Sequence, residues 1–203
     1  MATTRPTLKA GFSFEKYHDK LSASGIAAHT DASRAWFFDK LKGLSNIDRR
    51  KLLKDQALIP MRRPLSGRMF MFFYDPKGRE ELPYYDRFPL IIMVGKAKGG
   101  FYGLNLHYLP NKWRAIFFDK LLAYTNNNSY DETTKFRLTY NMLSSTASLK
   151  YFAPCFKHYL FSQLRSVPVE VPSTDWDIAI SLPTWKFVGS DKTGVWKESL
   201  KQV

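Results

Sequence analysis

The chain has 203 residues with 44% hydrophobic and 16% aromatic content, enough to bury a core and too apolar for a disordered basic tail. No run nears the roughly 18 to 20 apolar residues of a membrane-spanning helix, and Met1 to Pro6 lacks the apolar region of a secretion signal, so a soluble, unexported protein is expected. Cys155 is the single cysteine, which excludes an internal disulfide and a cysteine-built zinc site, while 31 Lys and Arg against 18 Asp and Glu give a net charge of +13.

The surplus is graded along the chain. Residues 1–67 hold 13 basic and 6 acidic side chains, residues 68–150 hold 12 and 7, and residues 151–203 hold 6 and 5. A field of this sign attracts polyanions and speeds their encounter through phosphate neutralisation and counterion release.

Residues 1–12 show no hydrophobic period and read as an arm. Phe14, Tyr17 and Leu21 fall at helical spacing from Ser13 to Leu21, and the run Ser22-Ala23-Ser24-Gly25 breaks the pattern. Thr30 or Asp31 is suited to cap a helix reaching about Leu44, with Trp36, Phe37, Lys40, Leu41 and Leu44 along one side. Asp48 is placed to cap a second helical piece that carries Arg49, Arg50, Lys51 and Lys54 around Leu52 and Leu53. Pro60 and Pro64 then impose an extended linker over residues 59–65.

Three apolar and aromatic runs follow, within residues 67–77, 82–94 and 99–110, separated by Asp-Pro-Lys-Gly, Leu-Pro and Lys-Gly-Gly. This is the punctuation of antiparallel β-structure. In the third run Leu104 and Leu106 alternate with Asn105 and His107, as in a strand buried on one side, and Gly100 and Gly103 suit a bulge where a small barrel closes. Pro110 is suited to open a helix over residues 111–124, and Asp131 a further helix through Leu143. Pro154 is expected to open another from Cys155 to about Leu164. Residues 167–172 read as an edge strand because of Pro168 and Pro172. Trp176 to Leu182 alternates Trp176, Ile178, Ile180 and Leu182 with Asp177, Ala179 and Ser181, the pattern of a late strand. Residues 190–203 are a polar tail with room for a short helix.

The fold class expected is α+β, a small antiparallel SH3-like β-barrel or sheet flanked by several α-helices. Residues 1–66 supply a basic arm and helices. Residues 67–203 supply the barrel, packed C-terminal helices and the late strand, all in one continuous domain.

Catalytic chemistry finds little support. His18, His29, His107 and His158 include no His-x-x-x-His pair, so no metal site is expected. His107 with Asp86 is a conceivable acid-base dyad, but a hydrogen-bonded histidine among aromatic rings is the better reading. Cys155 would be nucleophilic if a histidine lay beside it, and His158 is one helical turn away, but its neighbours Phe152, Ala153 and Phe156 point to a buried, inert thiol. Asp75, Glu80, Glu81 and Asp86 are interleaved with Lys77, Arg79 and Arg87, which suits turn capping and ion pairing better than a nuclease metal centre. No phosphate-binding Gly-rich loop of the Gly-Lys-Ser/Thr kind occurs, so no cofactor is expected. The clusters assigned to phosphates are Arg49, Arg50, Lys51 and Lys54, then Arg62 and Arg63, then Lys96 and Lys98 in the loop Gly95-Lys96-Ala97-Lys98-Gly99-Gly100. Phosphate contacts position a nucleic acid without reading its sequence.

The stretches Phe73-Tyr74-Asp75-Pro76-Lys77, Leu82-Pro83-Tyr84-Tyr85-Asp86-Arg87-Phe88-Pro89-Leu90 and Gly100-Phe101-Tyr102-Gly103-Leu104-Asn105-Leu106-His107-Tyr108-Leu109 resemble the DNA end protector proteins of T4-like tailed phages and cyanophages. They cover about a fifth of the chain. The resemblance implies a non-enzymatic virion protein, added late in head completion, that binds the ends of packaged double-stranded DNA and shields them from host exonuclease. It further implies other virion proteins as partners, and a location in the virion and in the host cytoplasm during assembly and after injection. It brings no catalytic residues. A neck, tail or baseplate protein whose charge matches an acidic protein neighbour is the competing expectation, and a barrel-fold enzyme using His107 with Asp86 is a third.

Overall fold

In the computed structural model, which describes residues 12–44, 47–63, 65–110, 113–118, 141 and 153–201, the helices begin where local capping chemistry places them. Helix α1 (Phe14–Ala23) starts at Ser13, whose Oγ accepts from Lys16 N at 3.2 Å, and buries Phe14, Tyr17 and Leu21. Helix α2 (Asp31–Leu41) starts at Thr30, which exchanges hydrogen bonds with Ser33 in a capping box, and buries Ser33, Phe37 and Leu41. The short α3 (Arg49–Leu52) is capped by Asp48, whose carboxylate accepts from the backbone N–H of Arg50 and Lys51.

The sheet contains β1 (Ile59–Pro60), β2 (Met69–Met71), β4 (Leu90–Ala97), β5 (Gly100–Asn105), β6 (Phe156–Leu160) and β7 (Val169–Val171) in the antiparallel order β1-β7-β2-β4-β5-β6. A second pairing joins β3 (Tyr85–Asp86) to β8 (Phe187–Val188). Both faces of the large sheet are buried. Met69, Met71, Leu90, Ile92, Leu104, Val169 and Val171 join the main core with α1 and α2. Phe70, Phe72, Tyr74, Ile91, Met93, Phe101 and Tyr159 form a second, mostly aromatic cluster. Burial on both sides explains why these runs read as continuously apolar rather than alternating.

Of the barrel or sheet expected, the ladder gives the antiparallel sheet: it is open, ending on β1 and β6. It curls all the same. Tyr74 and Leu164 form an isolated bridge, Arg165 N donates to Phe73 O at 2.8 Å, and Asp75 N donates to Gln163 O at 3.2 Å, which ties the end of β2 to the segment after β6. Gly100 permits the close approach of β5 and β6, since a Cβ there would stand 1.9 Å from Tyr159 O.

Four expectations are corrected. Residues 155–164 are not helical: Ala153–Cys155 is a 3-10 turn, Phe156–Leu160 is β6, and Phe161–Gln163 is another 3-10 turn. Pairing with β5 decides this, for a run apolar on most sides carries no period of its own. Residues 176–181 are not a strand but helix α4 (Trp176–Ser181). All six of its residues are buried, so the alternation in sequence meets no two-sided environment, and Trp176 Nε1 donates to Val171 O at 2.8 Å to fix the helix on β7. β7 is not an edge strand, because β1 pairs on its other side, and Pro168 and Pro172 flank the ladder instead of interrupting it. Finally, residues 104–107 are not a strand buried on one side: β5 ends at Asn105, residues 106–108 make a 3-10 turn, and all four side chains are buried.

Residues 113–118 are helical as expected after Pro110. The rest of that helix, the helix expected from Asp131 and the stretch 142–152 lie outside the described residues. The polar tail forms α5 (Lys192–Lys201). α1 and α2 share one apolar cluster with the sheet and α4, and β1 pairs with β7, so contacts span the boundary drawn near residue 66.

Candidate nucleic-acid interface

The capped start of α3, the chain running out of β2, the segment 165–167 and the loop before β8 enclose a cleft of about 1040 Å³. Arg49, Arg50, Lys54, Arg87 and Arg165 line it, against the carboxylates of Asp48 and Asp75. Neither carboxylate is idle. Asp48 caps α3, and Asp75 pairs with Arg79 at 2.6 Å and with Arg165 at 3.5 Å, which holds its carboxyl below the ordinary carboxylate range, chiefly through the Arg79 hydrogen bond. Trp185 stands at the cleft 41% exposed, its ring held at 5.8 Å from Phe73 and 6.4 Å from Phe88 in edge-on contacts. Val167, 63% exposed, adds an apolar margin.

The cations expected at phosphates divide into three places. Arg49, Arg50 and Lys54 line the cleft, while Lys51 is exposed on the same short helix outside it. Arg62 and Arg63 are exposed just beyond β1, and Lys96 and Lys98 are exposed at the β4–β5 hairpin; none of these four lines the cleft. Among the described residues, Arg50, Lys51, Lys54, Arg62, Arg63, Lys96 and Lys98 make no salt bridge. Arg49 differs. Its side chain is only 6% exposed, its Nη2 donates to Pro183 O at 2.6 Å, and its guanidinium lies 5.6 Å from the Phe88 ring. Its Nε has no partner, and burial pushes the group down to about 10 despite the charge of Asp86. It is still a cation at neutral pH.

Arg87, Arg165 and Trp185 are cleft residues that the sequence did not mark for contact with DNA. They lie far apart along the chain and meet only through the 74–164 bridge and the β3–β8 pairing. A tryptophan followed by a lysine in a loop was the one local hint.

The dyad geometry exists, but in the core. Asp86 Oδ2 accepts from His107 Nδ1 at 2.7 Å and from Asn105 Nδ2 at 3.0 Å, Asp86 Oδ1 accepts from Phe88 N at 3.0 Å, and Asn105 Nδ2 also reaches Tyr159 OH at 3.2 Å. His107 and Asp86 are 3% and 4% exposed, so a substrate cannot reach the pair. Burial holds the imidazole below its ordinary value, outweighing the attraction of Asp86, and Arg114 and Arg49 push the same way. This is a satisfied structural network. Cys155 is buried and its thiol is pushed up to about 12 by desolvation; β6 carries His158 as an exposed residue on the strand that follows the turn. Among the described residues no group of three or more His, Cys, Asp or Glu is arranged to hold a metal ion, and no helix is long and apolar enough to cross a membrane.

No curated protein and no solved structure gives a significant match to the chain. Residues 11–201 match the family described as phage T4 terminal DNA protecting protein, a span that takes in the helices, both pairings of strands, the cleft and α5. The chain belongs to the phage T4 terminal DNA protecting protein family.

Proposed function

We propose that this protein is a non-enzymatic component of a phage virion that binds the ends of packaged double-stranded DNA and shields them from exonuclease. The observation that carries the proposal is the family match over residues 11–201, on a chain whose net charge is +13. The exposed cations without carboxylate partners give that charge an outlet. Arg50, Lys51, Lys54, Arg62, Arg63, Lys96 and Lys98 contact phosphates, and Arg49 adds its field from beneath the cleft floor. Backbone contacts of this kind suit a DNA terminus, which offers phosphates but no fixed sequence.

In this reading the curled half of the sheet acts as an SH3-like barrel scaffold, supported by the bridge between Tyr74 and Leu164. The protein joins the particle at head completion, touches other virion proteins there, and accompanies the DNA into the host cytoplasm. The test is a salt titration of binding to blunt linear duplex and to closed circular DNA of equal length, paired with digestion of the linear form by a processive exonuclease. Preference for the linear form, affinity that falls steeply with salt and protection at saturating protein are expected. Equal affinity for circles with no protection overturns the proposal.

A further inference from the structure

We infer that the cleft under Trp185 receives the terminal nucleotides of one DNA strand, unpaired, with a base stacked on the indole and phosphates held by Arg50, Lys54, Arg87 and Arg165. The inference rests on the proposal that the protein binds DNA ends, and it specifies which part of the end enters and where. Three observations carry it. First, the volume of about 1040 Å³ is that of a large ligand pocket, so a strand end fits inside while an intact duplex lies only across the mouth. Second, the site pairs an exposed aromatic with a set of cations, the combination that binds single strands without regard to sequence. Trp185 is held in place by Phe73 and Phe88, so its orientation is set before a base arrives. Third, the floor contains a buried guanidinium: Arg49 has no carboxylate within salt-bridge distance among the described residues, and its Nε is a buried donor without an acceptor. A buried charge of this kind is costly unless an anion lies nearby. Asp86 favours the charge from beyond salt-bridge distance but is itself bound to Phe88 N, Asn105 and His107, and the carboxylates at the rim are spent as well, Asp48 on the α3 cap and Asp75 on Arg79 and Arg165.

With its terminus inside the protein rather than beside it, the strand offers an exonuclease nothing to engage. A duplex whose ends fray or carry a short overhang then binds better than one whose ends are locked by hairpins.

The test uses the full chain and three probes: a 5′-phosphorylated tetrathymidylate, a linear duplex with four-nucleotide overhangs, and the same duplex closed by hairpin loops at both ends. The wild-type protein is expected to bind the tetranucleotide with quenching of tryptophan fluorescence, and to prefer the overhang duplex to the hairpin-closed one. Trp185→Ala is expected to weaken tetranucleotide binding by about 5- to 150-fold, the range that stacking of one base supports. Arg50→Gln with Lys54→Gln is expected to lower the salt slope by about two. Circular dichroism and melting of each variant confirm that the fold is kept. If the folded Trp185→Ala variant binds the tetranucleotide as tightly as wild type, or the hairpin-closed duplex binds as well as the overhang duplex, the cleft is not the seat of the strand end, although end protection by another surface stands. If wild type binds no DNA probe but binds poly-glutamate through Arg50 and Lys54, the DNA-end reading and this inference both fail, and an acidic protein partner takes their place.

Discussion

Replacing Asp86 with Ala measures how much of the fold depends on the buried polar network at the end of β5. The carboxylate accepts from Phe88 N at 3.0 Å, Asn105 Nδ2 at 3.0 Å and His107 Nδ1 at 2.7 Å, and it is 4% exposed. The methyl of Ala accepts nothing, so three buried donors lose their acceptor at once; only Asn105 keeps another, the Tyr159 hydroxyl at 3.2 Å. A stranded buried donor costs about 1 to 3 kcal/mol, and removing one partner of a buried charged network costs roughly 3 to 5 kcal/mol. The buried guanidiniums of Arg49 and Arg114 also lose a negative charge that favours them. The expected loss is therefore about 3 to 5 kcal/mol, a large share of the roughly 5 to 15 kcal/mol typical of a folded domain. For a chain of this size that is a drop in melting temperature of roughly 6 to 20 °C. Asp86→Asn keeps the shape and one acceptor oxygen but turns an amide NH2 toward a donor, so its loss is expected to be smaller. Urea denaturation of wild type and both variants, read at unchanged slope, gives the three values. A loss below about 1 kcal/mol for Asp86→Ala refutes the view that this network is a structural keystone.

Three further outcomes follow from the same structure. His107 is held neutral by burial, so as pH falls below about 6.5 the unfolded chain takes up a proton that the folded chain refuses, and stability declines until the lower folded value is reached. Urea midpoints between pH 7 and pH 5 are expected to fall, and to fall less for His107→Gln; equal slopes in the two proteins count against it. The Cys155 thiol, buried and pushed up to about 12, is expected to react with a disulfide reagent at pH 8 only as fast as the protein opens, with prompt labelling of the native protein as the contrary result. Gly189 has φ +88° and a Cβ there would stand 2.3 Å from Pro83 O, so Gly189→Ala is expected to cost at least roughly 1 to 3 kcal/mol by parting β8 from β3; unchanged melting removes that expectation.

Much of the fold is legible in sequence wherever the deciding chemistry is local. Ser13, Thr30 and Asp48 each cap a helix through bonds that span two or three residues, and each helix begins where those residues stand. The β4–β5 hairpin is legible for the same reason. What a window of residues cannot supply is the neighbour. Phe156 to Leu160 takes its strand form from β5, and Trp176 to Ser181 takes its helical form from a site walled by α2 and β7, where Asp177 meets Ser33 and His29. The cleft divides in the same way. Its α3 side is a contiguous basic run visible in the sequence, whereas Arg87, Arg165 and Trp185 arrive through pairings between segments about 90 to 100 residues apart.

The form of α3 also bears on what the surface charge is for. Arg49, Arg50, Lys51 and Lys54 crowd onto a helix of four residues and the turn after it, with Arg50 and Lys54 one helical turn apart. Like charges at that spacing oppose a helix, and a helix this short has little intrinsic stability with which to resist them. Asp48 offsets part of the strain by capping, and the packing of Leu52 into the core offsets more, but neither neutralises the exposed ammonium and guanidinium groups. Elsewhere on the surface comparable groups have been given partners, as with Arg34 and Asp31, Lys42 and Asp39, or Arg79 with Asp75 and Glu80. Among the described residues Arg50, Lys51 and Lys54 on and after α3, Lys96 and Lys98 at the hairpin and Arg62 and Arg63 after β1 have been left without them, while three carboxylates, Asp86, Asp175 and Asp177, are buried where they screen the surface least. An external polyanion relieves this repulsion as it binds, and so stabilises the folded state in proportion to its occupancy. A surface that merely kept the protein soluble would gain nothing from setting Arg50 and Lys54, without carboxylate partners, beside an aromatic cleft.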